Sequence, residues 1–234
     1  MNNKKLLILL GVLVVALGVV IGVFLTQREK DPQEQAKKND KAPATGVKLD
    51  VGKPKKYDAP VHEAKHPVAV ITFTDGSVIR IELYPEIAPV TVSNFLKLCG
   101  QKFYDGLTIH RVSPGFVIQG GAPGSNPAAG ASWTIKGEFA SNGFENTLSH
   151  RRGTVSMART SADKNSASSQ FFIVLDDKAV KSLDGDYAAF GRVLDAESMA
   201  VVDAIAKLEI TNPYAETLRV EPVFESIRIE PATE

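Results

Sequence analysis

The sequence has almost no material for disulfide bonds. Its 234 residues include one cysteine, Cys99, so no internal disulfide can form. Cys99 follows the apolar side chains of Phe95, Leu96 and Leu98, and a thiol in such a run is typical of a small core residue rather than a nucleophile. The hydrophobic content of 44% is ordinary for a globular protein, so we expect most of the chain to fold around an apolar core.

Several motifs and charge patterns are also absent. The sequence has no G-x-S-x-G, P-loop or dinucleotide fingerprint, so hydrolase, nucleotide-binding and redox functions have no support. The 27 Lys and Arg residues balance the 27 Asp and Glu residues. From residue 67 to the end, 20 acidic residues outnumber 15 basic ones, which argues against nucleic acid as a partner.

An uncharged apolar run lies near the start of the chain. Residues 1–5 form a basic tail, and the segment from Leu6 to Leu25 contains no charge. At about 1.5 Å per residue this segment can cross a hydrocarbon core of roughly 30 Å. A signal peptide cleaved after Ala16-Leu17-Gly18 is the competing interpretation. We favour an uncleaved transmembrane anchor over residues 6–25, because the apolar run continues past that point.

The orientation of this anchor is predicted from its flanks. Two Lys or Arg residues precede the apolar run, and five follow it within roughly twenty residues. Because these residues are enriched on the cytoplasmic side of a membrane span, this count alone argues against export of the C-terminal domain. A short basic head followed by an apolar run is nevertheless typical of an export signal, so we expect the C-terminal domain outside the cell membrane. Residues 26–66 are polar and predict a flexible linker, with a root-mean-square span of roughly 35 Å for a coil of this length.

Residues 67–231 have the patterns of a folded, mainly β domain. Val68 to Thr74 and Ser77 to Tyr84 alternate apolar and polar residues on either side of Asp75-Gly76, which predicts a β-hairpin. Several further apolar runs are separated by Gly, Pro, Asn and Ser. Val223 to Ile229 is predicted to be the closing strand, and many strands with few helices favour a closed antiparallel barrel.

Two helices are predicted within the same domain. Pro89 suits the first turn of a helix that continues to Cys99. Its apolar face consists of Val92, Phe95, Leu96 and Cys99, and Gly100 can end it. A second helix is predicted from Ala196 to Leu208, with Asp195 as its N-cap. We expect these helices to cover the two ends of the barrel.

The most informative segment runs from Ile109 to Gly121 and reads IHRVSPGFVIQGG. If its turn is centred on Pro114, Arg111 lies opposite Val117, and Gln119 shares their face. This segment resembles the arginine-bearing signature of cyclophilins, the peptidyl-prolyl cis-trans isomerases. Further segments resemble the family in the same order: VSMAR from Val155, SQFFI from Ser169, and LDGDYAAFG from Leu183.

The resemblance covers Val68 to about Ile229. Together with the apolar run over residues 6–25, it indicates a bacterial membrane-anchored member of this family. It implies a cyclophilin-like fold, a closed antiparallel barrel of eight strands capped by two helices, preceded here by one transmembrane helix. It also implies isomerisation of X-Pro peptide bonds in unfolded or partly folded proteins, without a metal or organic cofactor. We expect a monomer that assists the folding of exported proteins.

The chemistry explains why an arginine suits this reaction. Rotation about a peptide bond has a barrier of about 18–20 kcal/mol, because the nitrogen lone pair is delocalised into the carbonyl. The rotated transition state loses that delocalisation, so a donor to its nitrogen stabilises it selectively. Arg111 is always charged and offers a rigid fork of donors. We therefore predict three catalytic residues: Arg111 as donor, Gln119 as its organiser, and Phe116 as an aromatic wall.

Matching positions imply the remaining contacts with substrate. The proline pocket is expected to consist of Phe116, Val117, Phe172 and Leu183. The resemblance further implies that Ala158 and Arg159 meet the substrate backbone, and that Gln170 and Tyr187 border the pocket.

Three alternatives compete with these interpretations. The segment from His62 to His66 fits the H-E-x-x-H pattern of zinc proteases. Pro60 and Pro67 bracket it and disfavour the helix that such a site needs, so we interpret the match as coincidence. A different class of function also fits the pocket: a membrane-tethered module that binds X-Pro segments without catalysing their isomerisation. Arg111 alone could also be an ordinary ion-pair partner in a half-buried hairpin.

Overall fold

The computed structural model describes residues 46–124, 126 and 128–232. In this part of the chain an antiparallel sheet of ten strands is the main element. The strands are β1 Val68–Phe73, β2 Val78–Leu83, β3 Ile109–Ser113, β4 Val117–Gly120, β5 Thr154–Met157, β6 Phe171–Val174, β7 Ala189–Val193, β8 Ile210–Asn212, β9 Thr217–Leu218 and β10 Phe224–Glu230. The helices are α1 Pro89–Gly100, α2 Val180–Leu183 and α3 Ala196–Ile205, with 3-10 turns at Ala140–Asn142 and Asp177–Ala179.

The hairpin predicted around Asp75-Gly76 is confirmed by β1 and β2. Gly76 has a φ of 87°, a left-handed conformation that glycine adopts without steric cost. The backbone N–H of Phe73 donates to the carbonyl of Ser77 at 2.9 Å. Ile71 lies opposite Ile79 across the hairpin, and both are fully buried. The alternating pattern therefore marks the face that packs on the core.

The predicted closed eight-stranded barrel is wrong in strand number and in closure. The strand order is β10-β1-β2-β7-β5-β6-β4-β3-β9-β8. The outer edge of β3 pairs with β9 through Arg111 and Thr217, so the β8–β9 hairpin extends the sheet on that side. Thr108, just before β3, and Val223, just before β10, form an isolated antiparallel β-bridge. A single bridge does not continue the strand ladder around a closed barrel.

The two longer helices begin where their sequence signals predict, but α3 ends at Ile205 rather than at the predicted Leu208. Pro89 occupies the first turn of α1, and the Glu138 carboxylate accepts hydrogen bonds from the backbone N–H groups of Val90 and Thr91 at 3.0 and 2.8 Å. A carboxylate at a helix N-terminus satisfies otherwise unpaired donors. At α3 the predicted N-cap is confirmed, because the Asp195 carboxylate accepts from the Ser198 N–H at 2.7 Å.

Cys99 lies on the buried face of α1 and is 3% exposed. Burial raises the pKa of its thiol to about 12, so the sulfur remains protonated near neutral pH. This agrees with its interpretation as a core residue.

No helix in the described part of the chain is long and apolar enough to cross a membrane. The predicted transmembrane segment, residues 6–25, lies outside the described residues, as do residues 26–45 of the predicted linker.

Residues 46–66, which we call the N-terminal strap, are mostly exposed but contact the domain at several positions. Leu49 is 6% exposed, and its N–H donates to the Asp75 carboxylate at 2.7 Å. The Tyr57 hydroxyl donates to the carbonyl of Val193 at 2.7 Å. The segment is mostly polar, and it is held by isolated contacts of this kind.

The C-terminal end of the strap covers a buried carboxylate on β2. Glu82 is fully buried and accepts from the Glu63 N–H at 2.9 Å and the Tyr84 hydroxyl at 2.9 Å. It also lies 2.8 Å from His62 Nδ1 and 3.1 Å from His66 Nδ1. Burial by itself raises the pKa of Glu82, but these hydrogen bonds together lower it. Glu82 is therefore ionised and depends on strap residues for most of its donors.

The same contacts describe what the H-E-x-x-H residues do here. Besides its contact with Glu82, His66 places Nε2 3.0 Å from the Glu86 carboxylate. The Glu63 side chain is exposed and pairs with Lys65 at 2.9 Å. Across the described residues, no group of three or more His, Cys, Asp or Glu side chains could hold a metal ion.

His110 lies at a bulge in β3. The strand advances two residues, from Ile109 to Arg111, where β4 advances one, from Gly120 to Gln119. His110 is 7% exposed, and its Nδ1 has no hydrogen-bond partner among the described residues. Burial, and secondarily the charge of Arg111, lowers its pKa from 6.5 to about 4. The residue is therefore a neutral core histidine near neutral pH.

Removing the strap should destabilise the domain. A chain that begins at residue 67 should lose about 2–4 kcal/mol in free energy of unfolding relative to one that begins at residue 46, because Glu82 loses its donors from the strap and the contacts of Leu49 and Tyr57 are removed. Urea denaturation of the two chains measures the difference. Val61→Ala, at a side chain that is 90% exposed, is the control and should change nothing. Equal stability of the two chains would contradict a structural role for the strap.

His110 should make the domain sensitive to acid. Its pKa falls from 6.5 to about 4 on folding, so the unfolded chain binds the proton more readily, and stability declines as the pH drops below about 6.5. His110→Phe should remove this dependence, which amounts to about 2–3 kcal/mol by pH 4. Urea denaturation between pH 7 and 4 tests this. Parallel stability curves for the two proteins would show that His110 does not titrate as described.

Candidate active site

The β3–β4 hairpin turns through Ser113, Pro114, Gly115 and Phe116. The Phe116 N–H donates to the Ser113 carbonyl at 3.0 Å, and Gly115 has a φ of 71°. Proline fixes the first central position of this turn, and glycine accepts the left-handed second one. Phe116 therefore belongs to the turn and is partly exposed beside it.

This turn corrects the register predicted from the sequence. Arg111 pairs with Gln119, and Ser113 pairs with Val117, so the prediction that Arg111 lies opposite Val117 is wrong. Pro114, Gly115 and Phe116 connect the paired residues Ser113 and Val117, so the centre of the connection is Gly115, one residue beyond the predicted centre at Pro114. As a consequence, Arg111 and Gln119 are direct cross-strand neighbours.

A polar chain leads from Arg111 across three strands. The guanidinium Nη1 donates to Gln119 Oε1 at 2.9 Å, and Gln119 Nε2 donates to Gln170 Oε1 at 2.8 Å. Gln170 Nε2 in turn donates to the Ala129 carbonyl at 2.6 Å. Each amide thus has one orientation that satisfies both of its neighbours. The predicted site residues Arg111, Gln119 and Gln170 are brought together in this chain.

Glu216 is a partner of Arg111 that the sequence reasoning missed. Its Oε2 accepts from Arg111 Nε at 2.8 Å. The two residues are 105 positions apart in the sequence, and they meet because the segment entering β9 pairs with the edge of β3. No local motif around Glu216 indicates this contact.

An apolar cluster separate from the main core lies beside the polar chain. Its buried members are Val117, Phe172, Val174, Ala179 and Leu183, with Phe116, Ala158 and Tyr187 packed against them. This cluster brings together the residues predicted for the proline pocket, Phe116, Val117, Phe172 and Leu183. We call these eight residues the apolar pocket.

Phe172 is held in this pocket from both sides. The Tyr187 ring meets it edge-on at a centroid distance of 5.7 Å, and the His150 ring stacks on it at 6.1 Å. His150 Nδ1 lies 2.7 Å from the Asp184 carboxylate and Nε2 lies 2.9 Å from the Ser156 hydroxyl. The arrangement has the connectivity of a serine hydrolase triad. His150 and Ser156 are fully buried, however, so substrate cannot reach the hydroxyl and the group supports Phe172 instead.

Arg159 lies at the rim of the pocket. Its guanidinium carbon is 4.7 Å from the centroid of the Tyr187 ring, and Nε donates to the Asp186 carbonyl at 2.9 Å. The neighbouring Ala158 N–H donates to the Gln170 carbonyl at 2.9 Å. The residues predicted to meet the substrate backbone therefore lie between the polar chain and Tyr187.

The predicted site residues thus share one place on the sheet. The apolar pocket and the polar chain lie side by side because Gln119 on β4 pairs with Phe172 on β6. Arg111 is 33% exposed, so its charge lies at the surface beside these apolar side chains rather than inside the core. Such a site can present fixed N–H donors next to an apolar surface.

Comparison with known proteins agrees with this geometry. Residues 68–233 match the model of the family described as cyclophilin type peptidyl-prolyl cis-trans isomerase/CLD. The chain is 43% identical over 140 residues to peptidyl-prolyl cis-trans isomerase B of Bacillus subtilis strain 168. The aligned region covers 58% of this chain and 92% of that protein. It is 40% identical over 157 residues to a peptidyl-prolyl cis-trans isomerase of Helicobacter pylori strain J99, covering 67% and 91% respectively.

A solved structure agrees as well. The cyclophilin-type isomerase of Cryptosporidium parvum, solved in the presence of the dipeptide Ala-Pro, is 26% identical and superposes with a TM-score of 0.60 over 70% of this chain and 98% of its own. The predicted peptidyl-prolyl cis-trans isomerase activity is confirmed by the family match and by these relatives. With its mainly β sheet, its apolar pocket and Arg111 beside it, the chain belongs to the cyclophilin-type peptidyl-prolyl cis-trans isomerase family.

Proposed function

We propose that Arg111 is the catalytic donor, which stabilises the rotated X-Pro bond through its guanidinium N–H groups. The supporting observation is a permanent cation at the edge of an apolar pocket. Glu216 and Gln119 hold this cation on both sides, at 2.8 and 2.9 Å. A planar amide nitrogen accepts no hydrogen bond, whereas the pyramidal nitrogen of the transition state does. A donor fixed at that point therefore lowers the barrier without equal stabilisation of the ground state.

The apolar pocket supplies the binding site for the proline ring in this proposal. Val117, Phe172 and Leu183 are each at most 5% exposed, and Phe116 adds a partly exposed aromatic side at the turn. Burying the ring anchors the proline side of the bond, so that the preceding carbonyl can rotate against it. The Ala-Pro dipeptide of the Cryptosporidium structure supports a substrate of this class. The substrates are then X-Pro segments of unfolded or partly folded proteins.

The polar chain organises the site from the other side. Gln119 accepts from Arg111 and donates to Gln170, so movement of one side chain breaks two hydrogen bonds. Gln170 is itself fixed at the Ala129 carbonyl. Fixed donors stabilise a transition state better than mobile ones, because no reorganisation is needed when charge develops. Gln119 therefore acts as an organiser of Arg111 in this scheme, and Ala158, Arg159 and Tyr187 border the path of the substrate backbone.

Replacing Arg111 should separate catalysis from binding. Arg111→Ala should lower kcat/KM on a short X-Pro peptide by about 100- to 1000-fold, the usual cost of a fixed transition-state donor. Peptide affinity should change little, since the apolar pocket is intact. A protease-coupled or NMR exchange assay measures the rate, and titration calorimetry measures affinity.

Arg111→Lys is the matched variant for this test. It keeps the positive charge but loses the planar fork, so its rate should lie between those of Arg111→Ala and the unchanged protein. If the unchanged protein binds the peptide without accelerating its isomerisation, the chain is instead an X-Pro-binding module.

We also propose that the protein is a bacterial, single-pass membrane protein and a monomer, with its isomerase domain outside the cytoplasm and acting on exported chains. The uncharged segment from Leu6 to Leu25 supports the anchor, because about twenty apolar residues suffice to span a bilayer. A domain next to the membrane would meet exported chains before they fold, while X-Pro isomerisation still limits their folding.

Location can be measured with the full chain in bacterial cells. The protein should sediment with membranes and resist carbonate extraction, and protease added to intact cells should digest the isomerase domain. A chain without residues 6–25 should appear in the soluble fraction. If the isomerase domain resists protease in intact cells and is digested only after lysis, it lies inside the cytoplasm. That result would contradict the proposed orientation.

A further inference from the structure

Glu216 is the ion-pair partner of Arg111 in the described part of the chain. It lies outside the segments that carry the sequence signature, at the start of β9. We propose that Glu216 is a positioning residue, which holds the Arg111 guanidinium in the orientation that isomerisation requires. This inference rests on the proposed role of Arg111.

The guanidinium is held along two of its edges. Arg111 Nε donates to Glu216 Oε2 at 2.8 Å, and Nη2 pairs with the same carboxylate. Nη1 donates to Gln119 Oε1 at 2.9 Å on the far side. Arginine has five N–H donors, and the hydrogen bonds to Glu216 and Gln119 use the donor on Nε and one donor on Nη1. Donors on the two terminal nitrogens therefore remain for substrate.

The carboxylate is itself fixed. Its other oxygen, Oε1, accepts from the Ser113 hydroxyl, and the Glu216 carbonyl accepts from the Val112 N–H at 3.0 Å. The next residue, Thr217, pairs with Arg111 across the sheet edge. Backbone and side-chain contacts thus tie Glu216 to the same strand that carries Arg111.

The backbone of Glu216 points to a role for its side chain. Its φ is 54°, in the left-handed region that is uncommon for residues other than Gly, Asn and Asp. Glycine would fit this conformation without steric cost, yet the position holds a long carboxylate. Uncommon conformations of this kind persist where surrounding contacts determine them, and they concentrate at functional sites.

Without Glu216, Gln119 would be the one remaining side-chain contact that orients the guanidinium among the described residues. Arg111 and Glu216 are 33% and 24% exposed, so water could then replace the lost bonds and the plane could rotate. The carboxylate also reduces the net positive charge that the substrate meets. In our proposal the gain from a fixed orientation of the guanidinium outweighs this reduction in positive charge. The donor geometry is set before the reaction, and small misplacements of a donor lower the rate steeply.

The test uses the full chain and a short X-Pro peptide. Glu216→Ala should lower kcat/KM about tenfold, mainly through kcat, while peptide affinity stays within about twofold. Glu216→Gln should recover most of the rate, because its amide oxygen can still accept from Arg111 Nε. The Arg111 Nε–H resonance should move and exchange faster with solvent in Glu216→Ala than in Glu216→Gln.

Two variants separate positioning from general stability. Glu216→Gly relieves the left-handed backbone, so the melting temperature should be unchanged or higher, yet kcat/KM should fall as far as in Glu216→Ala. Glu209→Ala removes an exposed ion pair with Arg219 from the same C-terminal region and should leave kcat/KM unchanged. A purely structural role for Glu216 predicts instead that rate and melting temperature fall together, and that result would overturn the proposal.

A double-mutant cycle distinguishes this inference from the proposed function. In an Arg111→Ala background, Glu216→Ala should cause no further loss of rate. If Arg111→Ala is slow but Glu216→Ala is as fast as the unchanged protein, or faster, Glu216 does not position the arginine and the inference is wrong. If Arg111→Ala keeps the full rate, the proposed catalytic role of Arg111 fails instead.

Discussion

A permanent positive charge has to lie beside an apolar pocket without being buried, and the site is built around this constraint. The Arg111 guanidinium cannot lose its proton, and burying an unpaired charge is costly. The hairpin resolves this by leaving Arg111 33% exposed, with oxygen acceptors on both sides. The β4–β6 register then places Gln119 next to Phe172. Polar and apolar halves of the site therefore meet along one pair of strands.

The identity of these residues could be predicted from the sequence, but their pairing could not. The Ile109 to Gly121 segment indicated Arg111, Phe116 and Gln119 because their residue types suit the reaction. Their register depends on whether Phe116 belongs to the turn, and the pairing of Ile109 depends in addition on a bulge at His110 that no local pattern indicates. The contact of Glu216 with Arg111 could not be predicted for another reason. The two residues are 105 positions apart, and the spacing of apolar and polar residues along the sequence does not indicate such a contact.

The same distinction applies to the fold. Asp75-Gly76 and Asp195 act within a few residues of themselves, so the hairpin and the N-cap could be predicted. The open edge of the sheet could not, because it depends on β9 pairing with β3 at a single position, Arg111 to Thr217. The strap has the composition of a linker, and its attachment rests on isolated contacts such as the hydrogen bond from Tyr57 to Val193. Average composition does not detect such contacts.

Two carboxylates illustrate how burial divides structural from functional roles. Glu82 is fully buried and has donors on both oxygens, so any loss of a donor leaves a charge that water cannot reach. This carboxylate must therefore stay in place beneath the strap. Glu216 is 24% exposed, so water can substitute for a partner at small cost. This carboxylate can therefore hold Arg111 in one orientation at the surface without the desolvation penalty of a fully buried ion pair.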